Sequence, residues 1–153
     1  CEIVRRGLPC TVVLGGSGPL GKLLDKLVTD REIAEYVSLK GLIVDSEEFL
    51  KDFDVLLSTS RVEGLPNVLI EAQRIGIYVV ATDVGGVAEA LVDGQTGKLV
   101  ASRDPAELAD AIQAVIESDA TLQDARKSGP SFVLSKFDVQ SVTRQWLSSY
   151  HFS

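Results

Sequence analysis

Two glutamates near the start of a predicted helix carry the clearest chemical signal in this chain of 153 residues. Glu63 lies in a short loop after an apolar strand, and Glu71 lies inside the helix that begins near Asn67. Backbone N–H groups near Asn67 and Val68 would bind a diphosphate, because the first N–H groups of a helix lack intrahelical acceptors and the helix dipole favours anions. Glu71 could then bind a ribose diol, and Glu63 would project toward whatever the diphosphate carries. Both could equally be helix-start carboxylates that the dipole stabilises.

A second candidate site is the glycine-rich loop with the letters GGSGPLG. It places Gly16, Gly18 and Gly21 in the spacing G-x-G-x-x-G after a predicted strand, and Asp45 ends the next strand 24 residues later. That pattern formally meets the dinucleotide-binding fingerprint, since glycines let the backbone approach a pyrophosphate. Pro19, however, removes an N–H where phosphate donors are needed. Taken alone, the motif favours a tight strand-to-helix turn over an NAD site.

The composition excludes several classes of function. With 22 acidic and 15 basic side chains, the net charge of −7 disfavours binding to duplex DNA or to an anionic membrane. The two cysteines, Cys1 and Cys10, and the single histidine, His151, fit neither a metal-ligand spacing nor a Ser-His-Asp site. No apolar stretch reaches the length of a membrane span, and no signal peptide is visible. Because the chain contains no methionine, we expect it to be a piece of a longer protein.

Short apolar runs alternate with helical patterns along the chain, which is typical of a parallel sheet with helices on both faces. The runs that predict strands are 10–14, 37–44, 54–58, 78–81 and 97–101. We therefore predict one α/β domain with a Rossmann-like fold. Ligands of such sheets bind outside the carboxyl ends of the strands, so a site is expected in the loops after Leu14, Leu42, Ser60 and Thr82.

The patterns that predict helices are 20–36, as one helix or two, and 46–50, 67–75, 86–91, 104–116, 122–127 and 139–150. Ser46 and Asp104 are the expected N-caps of two of them, because their side-chain oxygens can accept from free N–H groups. Gly129-Pro130 should break the helix in 122–127, since proline lacks the N–H that a helix interior uses. Trp146 is expected to be a packing residue on the last helix.

The segment around the two glutamates also resembles a known family. Its letters EGLPNVLIEA are similar to the E-x7-E motif of retaining GT-B glycosyltransferases, family four in particular, with Glu63 and Glu71 as the two glutamates. The flanking runs FDVLLSTS, GIYVVATDVGG and DGQTG, and GSGP in the glycine loop, each resemble the corresponding family motif. The resemblance covers roughly residues 11–117, and it implies the Rossmann-like C-terminal half of a GT-B enzyme.

The resemblance implies a donor site for a nucleoside-diphosphate sugar, with UDP or GDP as the nucleotide. Glu71 would hold the ribose hydroxyls, and Glu63, the candidate catalytic residue, would orient the donor sugar beside Gly64. The other implied donor contacts are backbone groups: Leu65, Asn67 and Val68 at the diphosphate or sugar, Gly16 and Gly18 at the phosphates, and Gly41 and Leu42 at the base. Members of the family generally need no bound metal, so neither a metal nor a cofactor is expected.

Three features depart from the family pattern. Tyr78 stands where the family usually has proline, and Ser17 replaces the usual acidic residue of the glycine turn. The family's Arg and Lys for the leaving diphosphate lie upstream, and Arg5 and Arg6 are assigned to the following helix instead. We therefore expect residues 1–153 to be a single donor-binding domain with trailing helices over 119–153, lacking the first strand and the N-terminal acceptor domain. Alone it should bind a donor weakly and give no turnover.

The function implied is that of a retaining glycosyltransferase of the hexosyltransferase type. The full enzyme would transfer a sugar to a saccharide or lipid-linked acceptor, in bacterial capsule, exopolysaccharide or lipopolysaccharide synthesis. It would act in the cytoplasm, or peripherally at the inner face of the cytoplasmic membrane, with no nucleic acid partner. Two alternatives stay open: a non-catalytic nucleotide-binding or docking module completed by a partner chain, and an NAD-binding Rossmann domain that uses the glycine loop and Asp45.

Overall fold

The computed structural model describes residues 2–149, and Cys1 and His151 lie outside that range. The chain divides into two compact units, Cys1–Phe49 and Leu50–Ser153. Within the described residues, five strands form a parallel sheet of two strands and a parallel sheet of three, with helices on both sides. The predicted α/β class is therefore confirmed.

The first unit contains α1 (Glu2–Arg5), β1 (Val12–Gly15), α2 (Gly21–Asp30), β2 (Val37–Gly41) and α3 (Ser46–Leu50), whose last residue belongs to the second unit. Val12 on β1 pairs with Val37 on β2, and the register shifts at the end of β1. Helix α2 stops six residues before the predicted limit of 36. Glu32 takes a left-handed φ of 52°, and its N–H donates to the carbonyl of Thr29 while that of Ile33 donates to Val28, which closes the last turn.

The second unit contains β3 (Val55–Ser58), α4 (Asn67–Arg74), β4 (Tyr78–Thr82), a 3₁₀ turn (Val87–Glu89), β5 (Gly97–Val100), α5 (Pro105–Ile116), α6 (Asp119–Phe137) and α7 (Val139–Ser149). The strand order is β3-β4-β5. Every residue of β4 is buried, as expected for the central strand of a parallel sheet with both faces covered. Helices α4, α5 and α6 all contact β4 and bury Leu69, Ile112 and Val133.

The prediction that Gly129-Pro130 breaks a helix is wrong. Helix α6 continues from Asp119 to Phe137 with Pro130 inside it. A Cβ on Gly129 would lie only 2.6 Å from the carbonyl oxygen of Gln73 on α4, so this glycine allows two helix backbones to approach closely. Burial against α4 thus outweighs the cost of proline within the helix.

Two further predictions from local patterns are wrong. The N-cap of α3 is Asp45 and not Ser46, because Oδ1 of Asp45 accepts a 2.9 Å hydrogen bond from the backbone N–H of Glu48. Trp146 is 62% exposed on α7, so it is not a buried packing residue. The capping prediction for Asp104 is confirmed, since its Oδ1 accepts from the N–H of Ala106 at 2.9 Å.

Across residues 2–149, no helix has the length and apolar character needed to cross a membrane.

Candidate functional site

In the second unit, the loop between β3 and α4 carries Glu63 next to an ordered pair of hydroxyl groups. Oγ of Ser60 donates a 2.6 Å hydrogen bond to Oε1 of Glu63. Oγ1 of Thr82, at the end of β4, donates at 2.7 Å to the carbonyl of Ser60. Strands β3 and β4 are parallel neighbours, so the residues at their carboxyl ends meet at the same edge of the sheet. The Glu63 carboxylate is therefore connected to the central strand through Ser60.

The loop that follows β4 packs directly on the backbone around Glu63. The N–H of Gly86 donates to the carbonyl of Gly64 at 3.0 Å. A Cβ on Gly85, which has a φ of +53°, would lie 1.8 Å from the carbonyl oxygen of Glu63, and one on Gly86 would lie 2.4 Å from that of Gly64. No side chain fits at these positions, so both glycines are needed for the approach of the two loops.

The start of α4 presents free hydrogen-bond donors. Pro66 precedes the helix and supplies no side-chain cap. The N–H groups of Asn67 and Val68 have no acceptor within the described part of the chain, whereas the N–H of Leu69 donates to the carbonyl of Pro66 at 3.1 Å. Glu71 is half-buried one turn further along the same helix. This arrangement offers two donors and the positive end of a helix dipole to an anion.

A buried glutamine holds α4 to the loop before β5. Gln73 is fully buried, and its Nε2 donates to the carbonyls of Leu69 at 2.7 Å and Ala90 at 2.6 Å. Oγ1 of Thr96 donates to Oε1 of Gln73 at 2.6 Å and accepts from the N–H of Val92 at 2.9 Å. All polar atoms of this cluster have partners, so it fixes the helix that carries Glu71.

In the first unit, the predicted glycine sites gather at the carboxyl ends of β1 and β2. The N–H of Gly16, which has a φ of 127°, donates to the carbonyl of Gly41 at 2.7 Å. The carbonyl of Gly18 accepts from the N–H of Gly21 at 3.1 Å, which closes the turn before α2. Leu42 is 71% exposed directly after β2. These residues therefore share one end of their sheet.

Arg5, Arg6 and Tyr78, which the sequence analysis singled out, lie outside these loops. Arg5 and Arg6 both bind Glu2 and lower its pKa to about 2, so neither guanidinium lies in a phosphate-binding loop. Tyr78, which stands at the family's proline position, is buried at the start of β4, and burial raises the pKa of its hydroxyl. Over residues 2–149, no group of three or more His, Cys, Asp or Glu side chains could hold a metal ion.

The predicted site residues thus fall into two groups, one in each unit. Six lie in the second unit: Glu63, Gly64, Leu65, Asn67, Val68 and Glu71. Four lie in the first: Gly16, Gly18, Gly41 and Leu42. The sequence gives no role to Ser60, Gly85 and Gly86, which contact Glu63 or Gly64, or to Thr82, which binds the carbonyl of Ser60. Their position after neighbouring strands was the available signal, since both loops were already expected at the ligand-binding edge.

Comparison with known proteins adds the following findings. A family model described as "Glycosyl transferases group 1" matches residues 1–118. Alpha-D-kanosaminyltransferase of Streptomyces kanamyceticus is 28% identical over 97% of this chain and 39% of its own length. D-inositol 3-phosphate glycosyltransferase of Paenarthrobacter aurescens is 33% identical over 94% of this chain and 35% of its own length. The chain thus spans less than two fifths of either relative.

A solved structure has a similar fold. Anabaena Alr3699/HepE, crystallised in complex with UDP, superposes with a TM-score of 0.86 and 24% sequence identity. The match covers 97% of this chain and 43% of the Anabaena chain. The predicted Rossmann-like fold of a GT-B half is confirmed by this similarity.

Proposed function

Since this chain belongs to the glycosyl transferases group 1 family, we propose that it is the donor-binding domain of a retaining glycosyltransferase. The donor is a nucleoside-diphosphate sugar, and we favour UDP as the nucleotide. The longer enzyme transfers the sugar, of the hexosyl type, to a saccharide or lipid-linked acceptor. Support for the uridine nucleotide comes from the Anabaena protein of the same fold, whose structure is a UDP complex.

The observation that carries this proposal is the start of α4. The unpaired N–H groups of Asn67 and Val68 lie at the positive end of the helix, and Glu71 follows one turn later. Two N–H donors suit the diphosphate, and a half-buried carboxylate suits the two adjacent hydroxyls of a ribose. For the first unit, taken by itself, we propose that Gly16 and Gly18 contact phosphates and that Gly41 and Leu42 contact a base.

In the reaction, the bond between the anomeric carbon and the diphosphate breaks, and negative charge grows on the departing phosphate oxygens. N–H donors already oriented at the start of α4 stabilise that charge without reorganising, which lowers the barrier. Glu63, with Gly64 and the backbone of Leu65 beside it, orients the donor sugar. No step in this scheme uses a metal or another cofactor.

The proposed substrates also suggest a biosynthetic pathway and a cellular location for the full enzyme. We place the full enzyme in bacterial capsule, exopolysaccharide or lipopolysaccharide synthesis, in the cytoplasm or peripherally at the inner face of the cytoplasmic membrane. The acceptor is bound by a separate N-terminal domain. Because the acceptor site belongs to that domain, residues 1–153 alone give no steady transfer. Detection of continuous transfer from UDP-glucose by this chain, in the presence of saccharide acceptors, would contradict that statement.

The first test is a thermal-shift series with UDP, GDP, ADP and NAD. A ligand at one hundred times its Kd adds about 2.7 kcal/mol of stability. For a protein of this size that is a rise in Tm of about 5–10 °C. A selective shift with UDP or GDP supports the donor site and identifies the base. A shift with NAD alone supports the NAD alternative, and no shift with any of the four contradicts nucleotide binding by this chain.

Glu71→Ala tests the assigned ribose contact. Loss of hydrogen bonds to a carboxylate costs about 1.5–3 kcal/mol, so the Kd for UDP should rise about 10-fold to 100-fold. Glu107→Ala is the matched control, because Glu107 is an exposed glutamate in the first turn of α5. Isothermal titration calorimetry gives both values. Equal UDP affinities for the two variants would remove Glu71 from the site.

A further inference from the structure

The two carboxylate oxygens of Glu63 differ in their hydrogen bonds. Oε1 accepts the hydroxyl of Ser60 at 2.6 Å, a length typical of a hydrogen bond to a charged carboxylate. Oε2 has no hydrogen-bond partner among the groups that the structure describes. Glutamate on a loop otherwise has several rotamers available, and this bond selects among them. One oxygen is therefore held by the protein while the other can accept a ligand hydroxyl.

The hydroxyl of Ser60 is itself held in place from the core. Thr82 is 1% exposed at the end of the central strand β4, and its Oγ1 donates to the carbonyl of Ser60 at 2.7 Å. This bond joins residues 22 positions apart in the chain. Because Thr82 is buried and its strand is covered on both faces, the position of Ser60 follows that of the sheet rather than that of the loop.

The backbone of Glu63 is fixed separately by the two glycines after β4. Gly86 donates its N–H to the carbonyl of Gly64 at 3.0 Å, and any Cβ on Gly85 would collide with the carbonyl oxygen of Glu63. With the backbone set by this contact, the remaining freedom of Glu63 lies in its side-chain torsions. Ser60 is the group that restricts them.

We propose that Ser60 is a positioning residue for the donor sugar: its hydroxyl holds Oε1 of Glu63 so that Oε2 accepts a hydrogen bond from a sugar hydroxyl. This inference rests on the proposed function, and it adds a residue that determines affinity for the sugar rather than for the nucleotide. The two parts of the ligand give separate readouts. UDP reports the nucleotide contacts, and the preference for a UDP-sugar over UDP reports the contact of Glu63.

The experiment measures the Kd of UDP, UDP-glucose and UDP-N-acetylglucosamine by isothermal titration calorimetry. For Ser60→Ala we expect the preference for the better UDP-sugar over UDP to fall about 5-fold to 10-fold, the effect of losing one hydrogen bond. The Kd of UDP should stay within about twofold, since α4 is untouched. Ser60→Thr, which keeps the hydroxyl, should restore the preference. Thr59→Ala is the control, because Thr59 is an exposed neighbouring hydroxyl residue.

Several outcomes would overturn the inference. An unchanged preference in Ser60→Ala, or equal weakening of UDP and UDP-sugar, would show that Ser60 has no role specific to the sugar. Ser60→Cys, which keeps the shape with a weaker donor, provides the same test if Ser60→Ala fails to fold. A wild-type chain that binds UDP but prefers neither UDP-sugar would contradict this inference and leave nucleotide binding intact. A wild-type chain that binds none of the three ligands, and that GDP also fails to stabilise in the thermal-shift series, would overturn the proposed function and the inference together.

Discussion

The buried pair Gln73 and Thr96 offers a stability test whose magnitude follows from the structure. Gln73→Leu removes the amide that donates to the carbonyl of Ala90 and accepts from Thr96, so the carbonyl loses its donor and the hydroxyl of Thr96 loses its acceptor. Each unpaired group costs about 1.5 kcal/mol, so the free energy of unfolding of the variant should fall by about 3 kcal/mol. Thr96→Val leaves Oε1 of Gln73 and the N–H of Val92 unpaired, and it should cost about the same.

The double variant makes the test specific. When both side chains are apolar, only the carbonyl of Ala90 and the N–H of Val92 stay unpaired, because the groups that Gln73 and Thr96 offered to each other are gone together. The double variant should therefore lose about 3 kcal/mol, where additive effects would give about 6 kcal/mol. The difference is the coupling between the two residues.

Urea denaturation followed by circular dichroism measures these free energies of unfolding. A loss of about 3 kcal/mol corresponds to a fall in Tm of about 6–12 °C for a chain of this length. Gln95→Leu is the control, because Gln95 is exposed in the same loop and should change stability by less than about 0.5 kcal/mol. Additive effects in the double variant, or single losses near those of Gln95→Leu, would refute the role of this hydrogen-bonded cluster.

Two further predictions concern the packing of α6 and the response to acid. Gly129→Ala should cost about 1–3 kcal/mol, because its Cβ would lie 2.6 Å from the carbonyl oxygen of Gln73, and urea denaturation checks this against Gly21→Ala, where the added methyl meets open space. Equal stability of the two variants would contradict the close helix approach. The N–H of Leu99 lowers the pKa of Asp93, so the stabilisation that Asp93 provides is lost as the pH falls below the usual carboxyl range. Below about pH 4, Tm should therefore fall less steeply in Asp93→Asn than in the wild type, and parallel Tm curves would contradict this.

Much of the fold could be predicted because the relevant information is local. The apolar run at 78–81 predicts a strand, and the structure has β4 at Tyr78–Thr82 with every residue buried. Asp104 was predicted as an N-cap from its own neighbours, and its carboxylate caps α5. The position of the candidate site was accessible for the same reason, since parallel strands place their ligand-binding loops at their carboxyl ends.

The uninterrupted course of α6, which the local pattern missed, depends on distant residues. Pro130 lies inside α6 because Gly129 packs against the backbone of α4, and no window around the proline contains that contact. The error at the N-cap of α3 has a local cause. Asp45 and Ser46 are adjacent residues that can both cap a helix, and the path of the backbone places the Asp45 carboxylate at the N–H of Glu48.

The sequence by itself determined the α/β class, the order of the elements and the two glutamates of the loop and helix, because periodicity and short motifs are properties of neighbouring residues. Only the tertiary structure decided how Glu63 is held. The hydrogen bond from Thr82 joins the end of β4 to Ser60 in the loop after β3, and Gly85 in the loop after β4 contacts the carbonyl of Glu63. Such contacts exist only after β3 and β4 have paired, since pairing brings residues about 20 positions apart within hydrogen-bond distance.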